Sequence, residues 1–522
     1  MKLQDAVRKL YLDDRWLQIT LFAFMFLCYG FIVRGSGLRN PTELPKVYPV
    51  EMTFNSMLEH LAHGQFDVDP NTIQWEGSLL NGRVYSYFGI TCALLRLPLL
   101  LFHRLDVNVT AWSCLIAVCL AGIMKVRAVL FIRRSCGITL ASEWAFGLML
   151  TYIVLGGAEI GYLKPSIFQE VVFWAVAFAA VFVYFAIKGL VSGQFTVGTL
   201  SWMAFAAGFA TLTRVSTGLG LCVAFGLLLA VLLAQELRAR RAFITRQFLI
   251  PVAILAVFLI AVGTVNYCRW GNPLAFSGGY YLGYNLHPDR VPRLHLYGLF
   301  NLARIPIGLS YYFLPIWALQ GSDGRLLFEN AQTRLMEVVE LPPSSFFLTD
   351  LLPIAFVVFL AIALWAGRRS LARALRTEWR CAQGKETQPP LRLFSLAQGL
   401  ALAAGLAVPC ALMLTFISMT YRYRMEFYPE IDLLAFLGLY VTVSDPALLA
   451  RFNRGRRWMV AATVVSVVSA FALVALYKVS DSGSSQPYLR NGVAHYYSEQ
   501  LVHDSRFVSL QHAWRQLRHA RQ

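Results

Sequence analysis

Long apolar runs separated by polar segments dominate this chain of 522 residues. Runs long enough to cross a bilayer occur at 16–33, 109–132, 140–157, 167–188, 196–213, 216–235, 248–267, 350–366, 393–419, 430–444 and 458–477. A crossing helix needs about 20 residues, with ~17 as the short limit, so 430–444 is the weakest of these. The pattern predicts an all-α polytopic membrane protein with about 11 transmembrane helices. Two further runs, 86–102 and 299–319, are ambiguous by length. Arg96 and Pro98 suit a helix lying at the interface better than one crossing lipid.

Charge placement resolves the ambiguity. With the N-terminus cytoplasmic and both ambiguous runs non-spanning, the clusters Lys2/Arg8/Lys9/Arg15, Arg133/Arg134, Arg238/Arg240/Arg241/Arg246, Arg368/Arg369/Arg373/Arg376/Arg380 and Arg451/Arg454/Arg456/Arg457 all fall inside. If 86–102 alone spanned, every later cluster would flip outward, and if both runs spanned, those at 133–134 and 238–246 would, against the positive-inside rule. The outer face then receives the loops 34–108, 158–166, 268–349 and 420–429. It also receives the tail 478–522, which is too short for its own core. Residues 1–477 form the transmembrane domain, with the first helix retained as an anchor.

Composition agrees. Only 14% of residues are charged, against about 25% in soluble domains, and mean hydropathy is +0.54. The net charge of +17 follows from short basic segments beside apolar runs, which excludes a nucleic-acid-binding face. The nine cysteines form no CxxC pair, so zinc-knuckle and redox motifs are unsupported. No P-loop or GxGxxG signature points to a nucleotide donor.

Candidate chemistry concentrates in the first outer loop. Met52, Phe54, Met57, Leu58 and Leu61 recur at helical spacing with Asn55, Glu59 and His63 interleaved. That reads as an interfacial amphipathic helix, stopped by Gly64. Asp67-Val68-Asp69 places two carboxylates on one side of an extended chain, suited to a divalent cation or to taking an acceptor proton. Glu51 is a third candidate acid at the start of that helix. His60 and His63 lie one turn apart and could join Asp67 and Asp69 around a metal. Arg83, Tyr85 and Tyr87 follow in Gly82-Arg83-Val84-Tyr85-Ser86-Tyr87-Phe88-Gly89.

Arginines recur on the outer side, against the charge rule. Arg83, Arg96, Arg214, Arg304, Arg422 and Arg424 stand in outer segments or at their borders. A guanidinium grips phosphate through paired donors, so this set suits an anionic lipid phosphate. For any one of them, snorkelling to lipid headgroups is the plainer alternative.

These residues resemble the GT-C superfamily of polytopic glycosyltransferases. The resemblance rests on the acidic first loop, on Gly82 to Gly89 leading into Leu95-Arg96-Leu97-Pro98, and on Thr213-Arg214-Val215-Ser216. It also rests on Arg269-Trp270-Gly271-Asn272-Pro273 and on Arg422-Tyr423 through Pro429. It covers about 48–430 and looks bacterial in style. It implies a polyprenyl-phosphate-sugar donor, and a lipid, glycan or protein acceptor at an outer active site of the inner membrane. It further implies a first-loop acid as base, here Glu51, Asp67 or Asp69, and a divalent cation such as Mg or Mn. Arg83, Arg214, Arg304, Arg422 and Arg424 would hold the donor phosphate, and Asn55, Tyr85 and Tyr87 the substrate. The absence of a second carboxylate beside Glu51 departs from the family's acidic pair.

A membrane transporter or flippase is the rival reading. It would place ionisable groups in mid-span, whereas Lys125, Arg127 and Glu143 read as lying towards span ends.

Overall fold

A computed structural model of the chain describes residues 14–35, 49–136, 139–157, 166–238, 246–276, 281, 290–315, 335–336, 338–339, 344–366 and 395–479. The tail beyond 479, the basic cluster at 368–380 and the outer loop at 158–165 lie outside the described residues.

Every one of the eleven apolar runs folds as a helix. In chain order, α1 is Asp14–Gly35, α2 the loop helix Thr53–Ala62, α3 Thr110–Cys136 and α4 Leu140–Thr151. Then come α5 Ile167–Ser192, α6 Val197–Thr213, α7 Val215–Arg238, α8 Arg246–Trp270 and α9 Ile305–Phe313. The last are α10 Leu351–Ala366, α11 Leu396–Thr415, α12 Tyr428–Ser444, α13 Pro446–Arg454 and α14 Arg456–Val479. Six helices among the described residues are long and apolar enough to cross a membrane by length and composition. The apolar helices Leu140–Gly156, Val197–Thr213 and Leu351–Ala366 are shorter. The chain is an integral membrane protein. The two ambiguous runs do not span. The first breaks into the turns Thr91–Leu94 and Leu97–Leu101, and the second yields the nine-residue α9, about 13 Å long at 1.5 Å per residue.

Local chemistry sets the boundaries. Ser166 caps α5 by accepting from the Gln169 amide, and Thr196 caps α6 by accepting from Thr199. Gly193 ends α5 with a left-handed φ of 71°. The helices pack as α3 on α5, α5 on α6, α6 on α8, α7 on α11 and α10 on α12. Glycine permits the closest crossings. A Cβ at Gly405 would overlap the Ala224 backbone, and one at Gly89 the Leu212 carbonyl.

The two ends of the bundle differ chemically. At one end Arg133 pairs with Asp14 at 3.1 Å and Glu143 at 3.0 Å, and Arg456 stacks on Trp144 at 4.6 Å. This gathers the starts of α1, α4 and α14 at the end of α3. At the other end the segments read as outer loops meet one another, and the site lies there. The reading of Lys125 as near a span end is corrected. Lys125 sits in the middle of α3, 3.1 Å from Asp432 of α12 and over the Tyr428 ring. Both charges are buried, so the ion pair neutralises itself within the bundle.

Candidate active site

The first loop is clamped to the bundle by one guanidinium. Arg96, almost wholly buried, donates to both oxygens of Glu170 at 2.7 and 2.9 Å. It also donates to Asn55 Oδ1 at 2.7 Å, to the Cys92 carbonyl and to Thr110. Asn55 spends its two amide hydrogens on the carbonyls of Leu105 and Val107, at 2.8 and 2.9 Å. Its side chain is buried and occupied in joining α2 to Arg96 and to the segment before α3.

The three candidate acids have separate surroundings. Glu51 accepts from Asn108, and its carbonyl accepts from Thr110. Asp67 faces His60 at 3.0 Å, with Arg83 at 4.0 Å. Asp69 caps the short turn Pro70–Ile73, taking the Asn71 amide at 2.9 Å. Asp69, Ser56, Glu59, His60 and Thr72 border an open depression of about 480 Å³ on the outward side of α2. His63 bonds the Glu59 carbonyl within its own helix at 2.8 Å. Among the described residues no three His, Cys, Asp or Glu side chains converge on one point. The expected set Asp67, Asp69 and His63 does not fit a metal. One acid is taken by His60, the other by a cap, and the imidazole by a carbonyl.

The arginines divide into buried supports and an aromatic-stacked group. Arg304 is wholly buried and donates to four backbone carbonyls, those of Leu335, Leu299, Thr415 and Gly298, at 2.9–3.0 Å. Arg424 is equally buried, 2.8 Å from Asp350 and 4.3 Å above the Phe346 ring. Asp350 also accepts from Tyr152 and Tyr428. Both arginines hold the fold together through these contacts. Arg83 is mostly exposed on the hairpin of β1 (Ser78–Leu80) and β2 (Arg83–Tyr85).

Arg214 and Arg422 do come together. Arg214 pairs with the buried Glu426, which also accepts from Ser216 at 2.7 Å and Thr217 at 2.6 Å. Arg214 lies over the Tyr423 ring, and Arg422 lies over Tyr423 and over Phe168 at 4.9 Å.

Two residues given no role from the sequence adjoin these groups. Arg269, at the end of α8, is 4% exposed. It donates to the Phe88 carbonyl at 2.8 Å and approaches Met57 Sδ at 3.5 Å. Its Nε has no partner, and among the described residues no carboxylate pairs with it. The Phe88 and Phe168 rings meet edge to face at 5.9 Å, so the residue bonded by Arg269 touches the ring that lies under Arg422. Glu76, 6% exposed, accepts the Tyr87 hydroxyl at 2.9 Å and the Tyr281 hydroxyl at 3.1 Å. Burial and the Glu76 carboxylate push the Tyr87 phenol well above its ordinary range, while Tyr423 and Arg422 lie close enough to act on it. Tyr85 packs on Trp270 at 5.7 Å. Arg269 stood inside a motif already singled out. Glu76 had no sequence signal beyond preceding Gly77, where a Cβ would overlap Val84.

No protein-family model and no curated protein matches the chain. Among solved structures it is similar to the Archaeoglobus fulgidus oligosaccharyltransferase in its apo form. Identity is 12% and the TM-score 0.43, over 90% of this chain and 56% of that one. It is also similar to ArnT from Cupriavidus metallidurans bound to undecaprenyl phosphate, at 14% identity and a TM-score of 0.38, over 87% of this chain and 75% of that one. The chain thus spans little more than half the length of the archaeal protein.

Proposed function

We propose that this protein is a GT-C-type glycosyltransferase that moves a sugar from a polyprenyl-phosphate carrier to a hydroxyl acceptor on the outer face of a bacterial inner membrane. The acceptor class is a lipid, a glycan or a protein. The observation that carries the reading is the buried guanidinium of Arg269, without an acid partner among the described residues, bonded to Phe88, whose ring touches the Phe168 ring beneath Arg422. A buried charge is costly without a counter-ion, and a phosphate between two arginines would supply one. The acidic first loop meets that end of the bundle.

The chemistry follows from these parts. An acceptor oxygen attacks the anomeric carbon, and its proton passes to a first-loop carboxylate drawn from Glu51, Asp67 and Asp69. The bond from that carbon to the phosphate oxygen breaks, and the electron pair leaves with the phosphate. Arg269, Arg422 and Arg214 stabilise the growing charge. In-line displacement inverts the anomeric centre. No step is routed through a metal. The test offers the purified protein labelled sugar on polyprenyl monophosphate and on polyprenyl diphosphate. Transfer from the monophosphate with inversion is expected, and retention of configuration would sink the displacement mechanism. Transport is the less favoured reading, since the one mid-span ion pair noted above, Lys125–Asp432, is buried and self-neutralised.

A further inference from the structure

Two cations stand apart from the candidate active site, in the opposite half of the bundle. Arg127 of α3 is exposed on the flank of a spanning helix. It lies six residues short of Arg133, about 9 Å along the helix at 1.5 Å per residue. Its guanidinium stands 4.9 Å from the centre of the Tyr184 ring of α5. Lys188 follows Tyr184 by one turn on the same face of α5, and its ammonium stands 5.9 Å from the Phe185 ring. Among the described residues neither cation meets a carboxylate, and the Tyr184 hydroxyl makes no hydrogen bond. The nearby acids are engaged elsewhere, Asp14 and Glu143 with Arg133 and Asp432 with Lys125. Phe185 stacks on Trp202 of α6, the rings 5.9 Å apart and 3° from parallel, and Trp202 is 51% exposed.

We propose that Arg127, Lys188 and Tyr184 bind the phosphate of an anionic glycerophospholipid in the leaflet opposite the candidate active site. A cation at the edge of the hydrocarbon is costly without a counter-ion, and here the protein supplies none. Snorkelling does not relieve Arg127 readily. Helical side chains lean towards the helix N-terminus, which for α3 is the active-site end, and the guanidinium is held on Tyr184 instead. Tyr and Trp gather where headgroups meet acyl chains, so this strip lies within reach of a lipid phosphate. The guanidinium offers paired donors, the ammonium a point charge and the phenol one further proton. A zwitterionic headgroup brings its own cation to such a site, which favours a headgroup of net negative charge. The exposed rings of Trp202 and Phe205 offer apolar surface to acyl chains, which a free phosphate lacks. Anionic lipids concentrate in the cytoplasmic leaflet, the side this end of the bundle is read to face. The site is independent of the glycosyltransfer reading.

The experiment reconstitutes the full chain in phosphatidylcholine bilayers containing a minor share of lipid brominated in its acyl chains, either phosphatidylglycerol or phosphatidylcholine. Bromine quenches tryptophan fluorescence at close range, and the difference between wild type and Trp202→Phe isolates the signal of Trp202. Brominated phosphatidylglycerol should be preferred at Trp202 about 30-fold, from about fivefold for each cation. Arg127→Gln and Lys188→Gln should each reduce the preference to about fivefold, and the pair should abolish it. Arg127→Lys, which keeps the charge, should retain most of it. Should Arg127→Gln fail to fold, Lys188→Gln and the wild-type comparison decide the matter. Equal quenching by the two lipids in the wild type, as unselective snorkelling would give, would overturn the proposal, and so would a preference that survives in the double variant. Displacement of the brominated phosphatidylglycerol by excess inorganic phosphate would mark a site for a free anion and would also overturn it.

Discussion

Glu170→Gln should be among the most destabilising single-atom changes in the protein. The two carboxylate oxygens of Glu170 lie 2.7 and 2.9 Å from Arg96, and both side chains are essentially inaccessible. With charge centres near 4 Å apart, their attraction is about 4 kcal/mol at an effective dielectric of 20. Removing one partner also strands the other charge, and such changes cost about 3–5 kcal/mol. That is a large share of a total stability of about 5–15 kcal/mol. Because Arg96 also holds Asn55, the loss should loosen α2 first. Thermal unfolding in one fixed detergent measures the effect, with proteolysis of the first loop as a local reporter. The pair Arg96→Met with Glu170→Met should recover much of the loss, since apolar replacement of a buried ion pair is often neutral or stabilising. A cost below about 1 kcal/mol for Glu170→Gln, or a double variant less stable than the single one, would refute the reasoning.

Other perturbations separate supports from cleft residues. Arg269→Met should cost donor-lipid binding about 100-fold while leaving the unfolding temperature unchanged or higher, because it removes a buried charge that has no acid partner among the described residues; a marked loss of stability would mean that the charge is structurally paired. Arg304→Met should do the reverse, lowering stability by several kcal/mol through four orphaned carbonyls, which thermal unfolding would register. Arg422→Ala should raise the KM for donor about tenfold or more, as loss of a charge-assisted phosphate contact implies, with stability nearly unchanged. Gly405→Ala should force α7 and α11 apart at Ala224, costing about 1–3 kcal/mol by the same unfolding assay.

The membrane architecture was legible because the bilayer imposes a length rule that sequence reports directly. All eleven apolar runs became helices, and Arg133, Asp14 and Glu143 meet at one end of the bundle. The site was less legible, because an arginine reads alike whether it holds a ligand or the fold. Arg304 and Arg424 share the sequence neighbourhood of cleft residues, but their partners are carbonyls and Asp350, far away in sequence or invisible to any motif. The contacts of Asn55 were equally hidden, because Arg96, Leu105 and Val107 reach its amide from some forty to fifty positions away. Glu76 gained meaning only when Tyr281 arrived from more than two hundred positions away. Mid-helix Lys125 was misplaced for a related reason. Its partner Asp432 comes from α12, and only packing reveals that a buried ion pair can sit mid-span.

The central claim is glycosyl transfer by a first-loop acid. Its most direct measurement follows labelled sugar from a polyprenyl monophosphate donor into product, using purified protein beside Glu51→Gln, Asp67→Asn and Asp69→Asn. Transfer by the wild type, lost about 100-fold or more in one folded variant as removal of a general base implies, is the predicted result. Absence of turnover with every donor, together with movement of lipid or solute in liposomes, would contradict it.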